Sequence, residues 1–324
     1  METKISTRPL GRSDLMVTPI GLGCWQFSKQ NNMAGKFWPK LYDDLILKIV
    51  AGSLEGGINW FDTAEVYGKG ASERALAASL KSLKKKPGEI MIATKWWPML
   101  RTASNIKKTI GKRLEALNPY SIDLYQVHQP YGFSGEVAEM NAMAELVKAG
   151  KIRYIGVSNF SAQKMRNSWV ALQKHGLPLV TNQVPYSLLN RKIESSGTLQ
   201  TAKELGISII AYSPLAQGLL SGKFHDNPDL LKNIGLRKYS KAFKPEGIEK
   251  SRPLITLLKE LAEKYKVTPT QISLNWLIYF HGETVVAIPG ATKESHILEN
   301  TGAMKFRLSD EDLIQIDLAS RIFM

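Results

Sequence analysis

A single cysteine, Cys24, stands among 324 residues, so no intrachain disulfide can form and a reducing compartment is the expectation. Nowhere does an apolar run approach the roughly 18 residues that a membrane helix needs. The stretch Met1 to Pro9 holds a glutamate and no apolar segment of the secretory kind. Histidines are few, and neither His225 nor His281 has partners at metal-ligand spacing, so no metal is expected. The run Gly21-Leu22-Gly23-Cys24-Trp25-Gln26 breaks the G-x-G-x-x-G pattern at its last position, which argues against a Rossmann-type nucleotide site. No zinc-finger spacing and no aromatic-laced RNA motif occurs. These absences point to a soluble, cytoplasmic protein, with a plastid location only if a transit peptide precedes this chain.

What is present is ordinary globular material: 44% hydrophobic and 22% charged residues, enough for a sizeable core. The formal net charge of +14 is compatible with a polyanionic ligand such as a dinucleotide phosphate, with nucleic acid or with an acidic membrane. The densest basic run, Lys81 to Lys86, closes a helical stretch before Pro87-Gly88, where cations complement the helix dipole. It is read as a solvated helix end, and no nucleic-acid or membrane partner is expected.

Short apolar runs alternate with amphipathic stretches along the chain. Eight strands are expected at Pro19–Gly23, Ile58–Asp62, Ile90–Lys95, Ile122–His128, Tyr154–Val157, Leu179–Gln183, Ile207–Tyr212 and Val285–Pro289. Segments with the 3.6-residue rhythm of outer helices lie between them, at Asp43–Glu55, Ser72–Leu83, Ala103–Leu117, Val137–Lys148 and Ala162–Lys174. Strict alternation without a break in composition predicts one α/β domain over residues 1–324, an (α/β)8 TIM barrel. Ahead of the first strand, Arg8–Val17 carries Gly11-Arg12-Ser13 between short extended runs and reads as a hairpin across the barrel bottom. After the seventh strand, Phe224 to Lys250 shows little periodicity and contains Pro228, Gly235, Pro245 and Gly247. It is read as a long loop covering a cofactor, its Lys232, Arg237 and Lys238 suiting a phosphate.

In this fold, catalytic groups sit at the C-terminal ends of the strands. The second strand delivers Asp62 and, just beyond, Glu65 and Tyr67; the third ends at Lys95 and the fourth at His128-Gln129. Ser158-Asn159 follow the fifth, Asn182-Gln183 the sixth and Tyr212-Ser213 the seventh. One such residue would pass for a cap, but six successive strand ends of this kind mark a site.

The same residues carry a resemblance. The segments Gly57-Ile58-Asn59-Trp60-Phe61-Asp62-Thr63-Ala64-Glu65-Val66-Tyr67-Gly68, Gly150 to Phe160 and Ala211-Tyr212-Ser213-Pro214-Leu215-Ala216-Gln217-Gly218 resemble the aldo-keto reductases, over about Leu10 to Leu318. Ser213-Pro214-Leu215-Ala216 followed by Gly222-Lys223 is similar to the branch of potassium-channel β-subunits, bacterial general-stress reductases and plant plastid reductases. The resemblance implies NADPH-dependent reduction of aldehyde or ketone carbonyls, with Asp62, Tyr67, Lys95 and His128 as the catalytic set. Tyr67 is then the general acid, and a phenol with a pKa of about 10 is a reluctant one. Lys95 is expected to pull that pKa down, Asp62 to keep Lys95 charged, and His128 to orient the substrate oxygen.

By the same resemblance, Ser158, Asn159 and Gln183 hold the carboxamide of NADP(H) and Tyr212 stacks on its nicotinamide. Ser213, Pro214, Leu215, Gln217 and Gly218 run under the pyrophosphate, and Lys223 and Arg237 add charge. Gly290, Thr292, Lys293, His296, Glu299 and Asn300 belong to the adenosine end, at a helix N-terminus whose dipole favours anions. His296 stands where relatives place Arg or Gln, leaving Thr292 and Lys293 as the phosphate ligands. Gly23, Cys24, Trp25 and Asp62 complete the candidate cofactor set, Cys24 being read as a packing residue. Trp25, Phe27, Trp96 and Trp97 could form an aromatic mouth, and Trp25, Trp96, His128 and Gln129 are the expected substrate contacts. Pyridoxal, methylglyoxal, other reactive aldehydes to be detoxified and small ketones are all compatible substrates. The alternative is a slow-turnover NADP(H)-binding regulatory subunit of the channel β-subunit kind. No N-terminal extension able to block a pore is read here, which favours the enzyme.

Overall fold

In the computed structural model, which describes residues 5–29 and 38–324, eight parallel strands form one curled sheet. Residues 1–4, part of the Met1–Pro9 stretch read above for a leader, lie outside the described residues. A hairpin, β1 (Arg8–Pro9) with β2 (Met16–Val17), comes first. The sheet strands are β3 (Leu22–Gly23), β4 (Trp60–Asp62), β5 (Met91–Trp96), β6 (Leu124–Val127), β7 (Tyr154–Ser158), β8 (Leu179–Pro185), β9 (Ser208–Tyr212) and β10 (Val285–Ala287). Each pairs with its sequence neighbour. Parallel bridges Ile20–Ala287 and Gly23–Gly290 join the last strand to the first, so the sheet closes as a barrel.

The helices follow the strands: α1 (Asp43–Glu55), α2 (Ala71–Ser82), α3 (Ser104–Leu117), α4 (Gly135–Lys148), α5 (Ala162–Gln173), the short α6 (Lys192–Ser195), α7 (Thr198–Leu205), the short α8 (Lys223–Asp226), α9 (Pro245–Tyr265), α10 (Pro269–Tyr279), α11 (Glu294–Gly302) and α12 (Asp310–Ser320). None among the described residues is long and apolar enough to cross a membrane. Their apolar stripes face the outer side of the strands, because alternate side chains of each strand point outwards. Phe61, Ile92, Tyr125 and Val127 belong to that outer core. Trp60, Met91, Ala93, Leu124, Val180, Ile210 and Val286 point inwards and pack together with Leu10, Leu15 and Val17 of the hairpin. The hairpin therefore stoppers the N-terminal end of the barrel, as the sequence suggests. Gly11 makes the fit possible: its φ is +55°, and a Cβ there would lie 2.2 Å from the carbonyl oxygen of Val180.

Two features go beyond the sequence reading. The segment Phe224–Lys250 is not a plain loop. Three 3-10 turns, Pro228–Asn233, Gly235–Tyr239 and Lys241–Phe243, precede α9, which begins at Pro245, a residue suited to the first turn of a helix. Turns this short never develop a 3.6-residue rhythm. They enclose a small core of their own, Leu219, Phe224, Ile234, Phe243 and Ile248. The second feature is a register shift: Ile155 faces Leu179, but the next residue, Gly156, faces Thr181, so Val180 is an extra residue in β8. Val180 and Gln183 would point to opposite faces in a regular strand, and the bulge turns Gln183 back into the barrel.

Candidate active site

The barrel interior changes character along its axis. Trp60, Ala93 and Leu124 lie lower in it; two residues further up β4, β5 and β6 stand Asp62, Lys95 and Gln126. Lys95 is completely buried, and its ammonium donates to Asp62 Oδ1, to the Thr63 carbonyl at 2.9 Å and to the Tyr67 hydroxyl at 3.5 Å. The other oxygen of Asp62 accepts from Gln183 at 2.8 Å and Gln126 at 3.2 Å. Burial alone would lower the Lys95 pKa, but the charge of Asp62 and the hydrogen bonds to Asp62 and Tyr67 outweigh it and the group is held above its ordinary value. Lys95 is a fixed cation.

Tyr67 corrects an expectation. Burial pushes its pKa up, and although Lys95 opposes this, the balance stays above the ordinary phenol value. The ammonium limits the rise without reversing it, because Asp62 cancels part of its field. The ring of Tyr67 stacks on Trp25 at 6.2 Å and meets the edge of His128 at 5.7 Å. His128, just past β6, has its pKa depressed well below the usual imidazole value by burial and then by Lys95. It is a neutral ring, and its Nδ1 has no hydrogen-bond partner among the described residues.

These groups open into a cavity of about 460 Å³. Its walls include Gly23, Cys24, Trp25, Asp62, Tyr67, His128, Gln129, Ser158, Asn159, Gln183, Tyr212, Ser213, Pro214, Leu215, Gln217, Gly218, Lys223, Arg237, Gly290, Thr292, His296, Glu299 and Asn300, nearly the whole candidate set. Tyr212, its hydroxyl pushed up to about 12 by burial and neighbouring tyrosines, donates to Asn159 Oδ1 at 3.0 Å. The turn after β9 is unusual: Ser213, Ala216 and Gln217 have φ of 50°, 47° and 57°, left-handed values that non-glycine residues avoid. Ser213 and Gln217 line the cavity, and left-handed backbone of this kind clusters at functional sites.

Three expected residues lie elsewhere. Trp96 is fully buried on the outer face of β5, its indole donating to Asn105 Oδ1 at 3.0 Å. Lys95 points inwards, so Trp96 must point outwards; the aromatic wall is Trp97, past the strand end and 5.2 Å from the His128 ring, edge to face. Phe27 is part of the outer core. Lys293 caps α11 as an exposed residue outside the cavity lining, close enough to depress the pKa of Lys223 and His296. Cys24 lines the cavity, and burial and then Asp62 push its thiol well above the ordinary value.

Sequence reasoning missed Gln26, Trp38, Pro39, Val66, Ser221, Thr270, Ile288 and Pro289 as wall residues. Gln26 had a signal of a kind, as the residue that breaks the glycine pattern. It lies against Gly290, where a Cβ would come within 2.2 Å of its amide. Trp38 had none; its ring packs edge to face on Trp25 at 5.9 Å and under the Arg237 guanidinium at 5.7 Å.

At the far end of the cavity Lys223 and Arg237, with Lys293 just outside the lining, form no salt bridge among the described residues. Arg237 donates to the carbonyls of Gln217 and Ile234, both at 3.1 Å. His296 accepts at Nδ1 from the Thr292 amide at 3.3 Å. Burial, Lys293 and Lys223 bring its pKa to about 4, so the ring is neutral with its remaining proton on Nε2.

Known proteins with the same organisation are numerous. The model of the Aldo/keto reductase family matches residues 19–321. An uncharacterized oxidoreductase of Mycobacterium bovis is 35% identical over 311 residues, 95% of this chain and 90% of its own. A chloroplastic pyridoxal reductase of Arabidopsis thaliana is 30% identical over 321 residues, 95% of this chain and 84% of its own. An aldo-keto reductase of Klebsiella pneumoniae, solved in complex with NADPH, superposes with a TM-score of 0.74 at 26% identity, covering 98% of this chain and 95% of that one.

Proposed function

Since the chain belongs to the aldo/keto reductase family, we propose that it is an NADPH-dependent reductase of aldehyde or ketone carbonyls with Tyr67 as proton donor. The observation that carries the proposal is the buried relay Asp62–Lys95–Tyr67 on the floor of the cavity, beside a neutral His128. A carbonyl oxygen placed between the Tyr67 hydroxyl and the His128 ring meets two neutral donors. The cation of Lys95 lies one bond further back, where it stabilises the phenolate left after proton transfer. The raised pKa of Tyr67 suits this role: an alkoxide is a far stronger base than any phenolate, so the proton still moves, and the acid stays loaded at neutral pH.

Several features fit NADPH. Gln26 Oε1, Gln217 Oε1 and Asn300 Nδ2 are buried in the cavity wall without hydrogen-bond partners among the described residues, which a polar ligand would satisfy. Lys223, Arg237 and Lys293 gather positive charge at the same end, and desolvation and mutual repulsion lower the Lys223 pKa, a cost that a phosphate relieves. His296 would contribute a neutral Nε2–H there, next to the Thr292 amide. Asn159 and Gln183 would take the carboxamide, with Tyr212 against the ring. NADPH bound in this way supplies the hydride to the carbonyl carbon. The test is a screen of NADPH consumption over aromatic and aliphatic aldehydes and ketones; tight NADPH binding without turnover of any of them would replace the enzyme by the regulatory reading.

A further inference from the structure

The four catalytic residues do not account for a buried ionic cluster directly behind them. The Glu65 side chain is only 7% exposed. Its Oε1 accepts from the Trp97 backbone N–H and from Arg101, both at 2.6 Å, and its Oε2 accepts from Arg113 at 2.8 Å. The backbone N–H of Glu65 also donates to the Lys95 carbonyl at 3.3 Å. One residue therefore grips the end of β5 on both sides of Trp96. Arg113, on α3, is shared with the fully buried Glu73 of α2, at 3.0 Å. The loop that follows Trp97 is in turn tied to the loop that follows His128: Phe133 N–H donates to the Arg101 carbonyl at 3.0 Å and Ala103 N–H to Ser134 Oγ at 2.9 Å.

We infer that Glu65 is a positioning residue, holding Trp97 edge-on against His128 as the wall of the carbonyl pocket. Glu65 is absent from the cavity lining, and the pocket wall that its carboxylate holds directly is Trp97. Trp97 lies past the end of β5, where no sheet hydrogen bond among the described residues fixes it, and its N–H goes to the Glu65 carboxylate instead. Three donors converge on two oxygens, and only a carboxylate accepts all three without turning an N–H towards a guanidinium. The two arginines are what make a buried carboxylate tolerable at this position. Substrate specificity would thus depend on a residue outside the pocket, two positions before the general acid.

The inference rests on the carbonyl-reductase reading, and the experiment separates the two. Glu65→Ala leaves Arg113 paired with Glu73, and Arg101, about one third exposed, free to meet water, so no buried charge is stranded. Steady-state kinetics with an aromatic aldehyde should show KM raised about tenfold and kcat changed less than about threefold, the pattern of lost substrate binding. NADPH affinity by fluorescence titration should stay within about twofold. In a Trp97→Ala background the same substitution should leave KM unchanged within about twofold, because both act through one contact. An unmoved KM in the single variant, or losses that multiply in the double variant, overturns the inference. Should Glu65→Ala not fold, Glu65→Gln, which keeps the volume, carries the same cycle. A wild-type protein that reduces no carbonyl refutes the parent reading instead.

Discussion

Replacing Tyr67 with phenylalanine removes one oxygen from the floor of the cavity and little else. Lys95 keeps Asp62 and the Thr63 carbonyl, and the lost contact to Tyr67 is the longest of its three at 3.5 Å. The structural cost is therefore that of one weak hydrogen bond, below about 1 kcal/mol. By contrast Lys95→Met would strand the Asp62 carboxylate in a dry interior at about 3–5 kcal/mol, and its loss of activity could reflect unfolding. The catalytic cost of Tyr67→Phe is that of general-acid catalysis, about 10²–10⁴-fold, or about 3–5.5 kcal/mol of barrier. NADPH consumption with an activated aromatic aldehyde measures it; NADPH fluorescence titration and thermal melting, both expected to be nearly unchanged, exclude trivial causes. The wild-type pH profile adds a second arm. Burial holds Tyr67 above, and His128 well below, the ordinary values, so neither changes charge between about pH 7 and 10 and the chemical step should be flat there. More than about a tenth of the activity retained in Tyr67→Phe, or a titration centred near neutrality that this variant abolishes, would refute the assignment.

Arg237→Ala should weaken NADPH binding about tenfold and NADH binding less, measured by fluorescence titration; equal losses would reduce Arg237 to its contacts with the Gln217 and Ile234 carbonyls. Glu194, on α6, tests acid stability: burial would raise its pKa, but Arg191, His281 and Tyr186 bring it down to about 2 from an ordinary 4.5. A depressed carboxylate stabilises the fold above its unfolded pKa and loses that contribution as pH falls through the folded one. Glu194→Gln should therefore cost up to about 3 kcal/mol at pH 7 and about half of that near pH 3, by denaturant titration; a constant difference would rule the ion pair out. Gly11→Ala should lower Tm, by about 2–3 kcal/mol of stability, since the new methyl meets the Val180 carbonyl and φ is left-handed. Native Cys24 should resist a thiol reagent until the protein unfolds, because it is buried with a raised pKa.

Much of this protein is settled by local sequence. Short apolar runs and period-3.6 helices alternate along the chain, and that pattern points to a barrel with its chemistry at one mouth. Asp62, Lys95 and His128 follow because each ends an apolar run, and Tyr67 because it sits a few residues past one. What the alternation of side chains implies for Trp96 and Trp97 is also local, once the inward face of β5 is known. Other decisions required distant segments to meet. Gln183 reaches Asp62 only because Val180 bulges out of register with β7, a shift that no pattern within β8 announces. The 3-10 turns before α9 hold their shape through Leu219, Phe224, Phe243 and Ile248, contacts that periodicity does not encode. The sign of the Tyr67 shift was the least legible of all. A lysine beside a tyrosine suggests a lowered pKa, but the balance depends on how completely the fold removes water and on where it sets Asp62. Sequence places charges in order along the chain; only the packed interior fixes the dielectric and the distances through which they act.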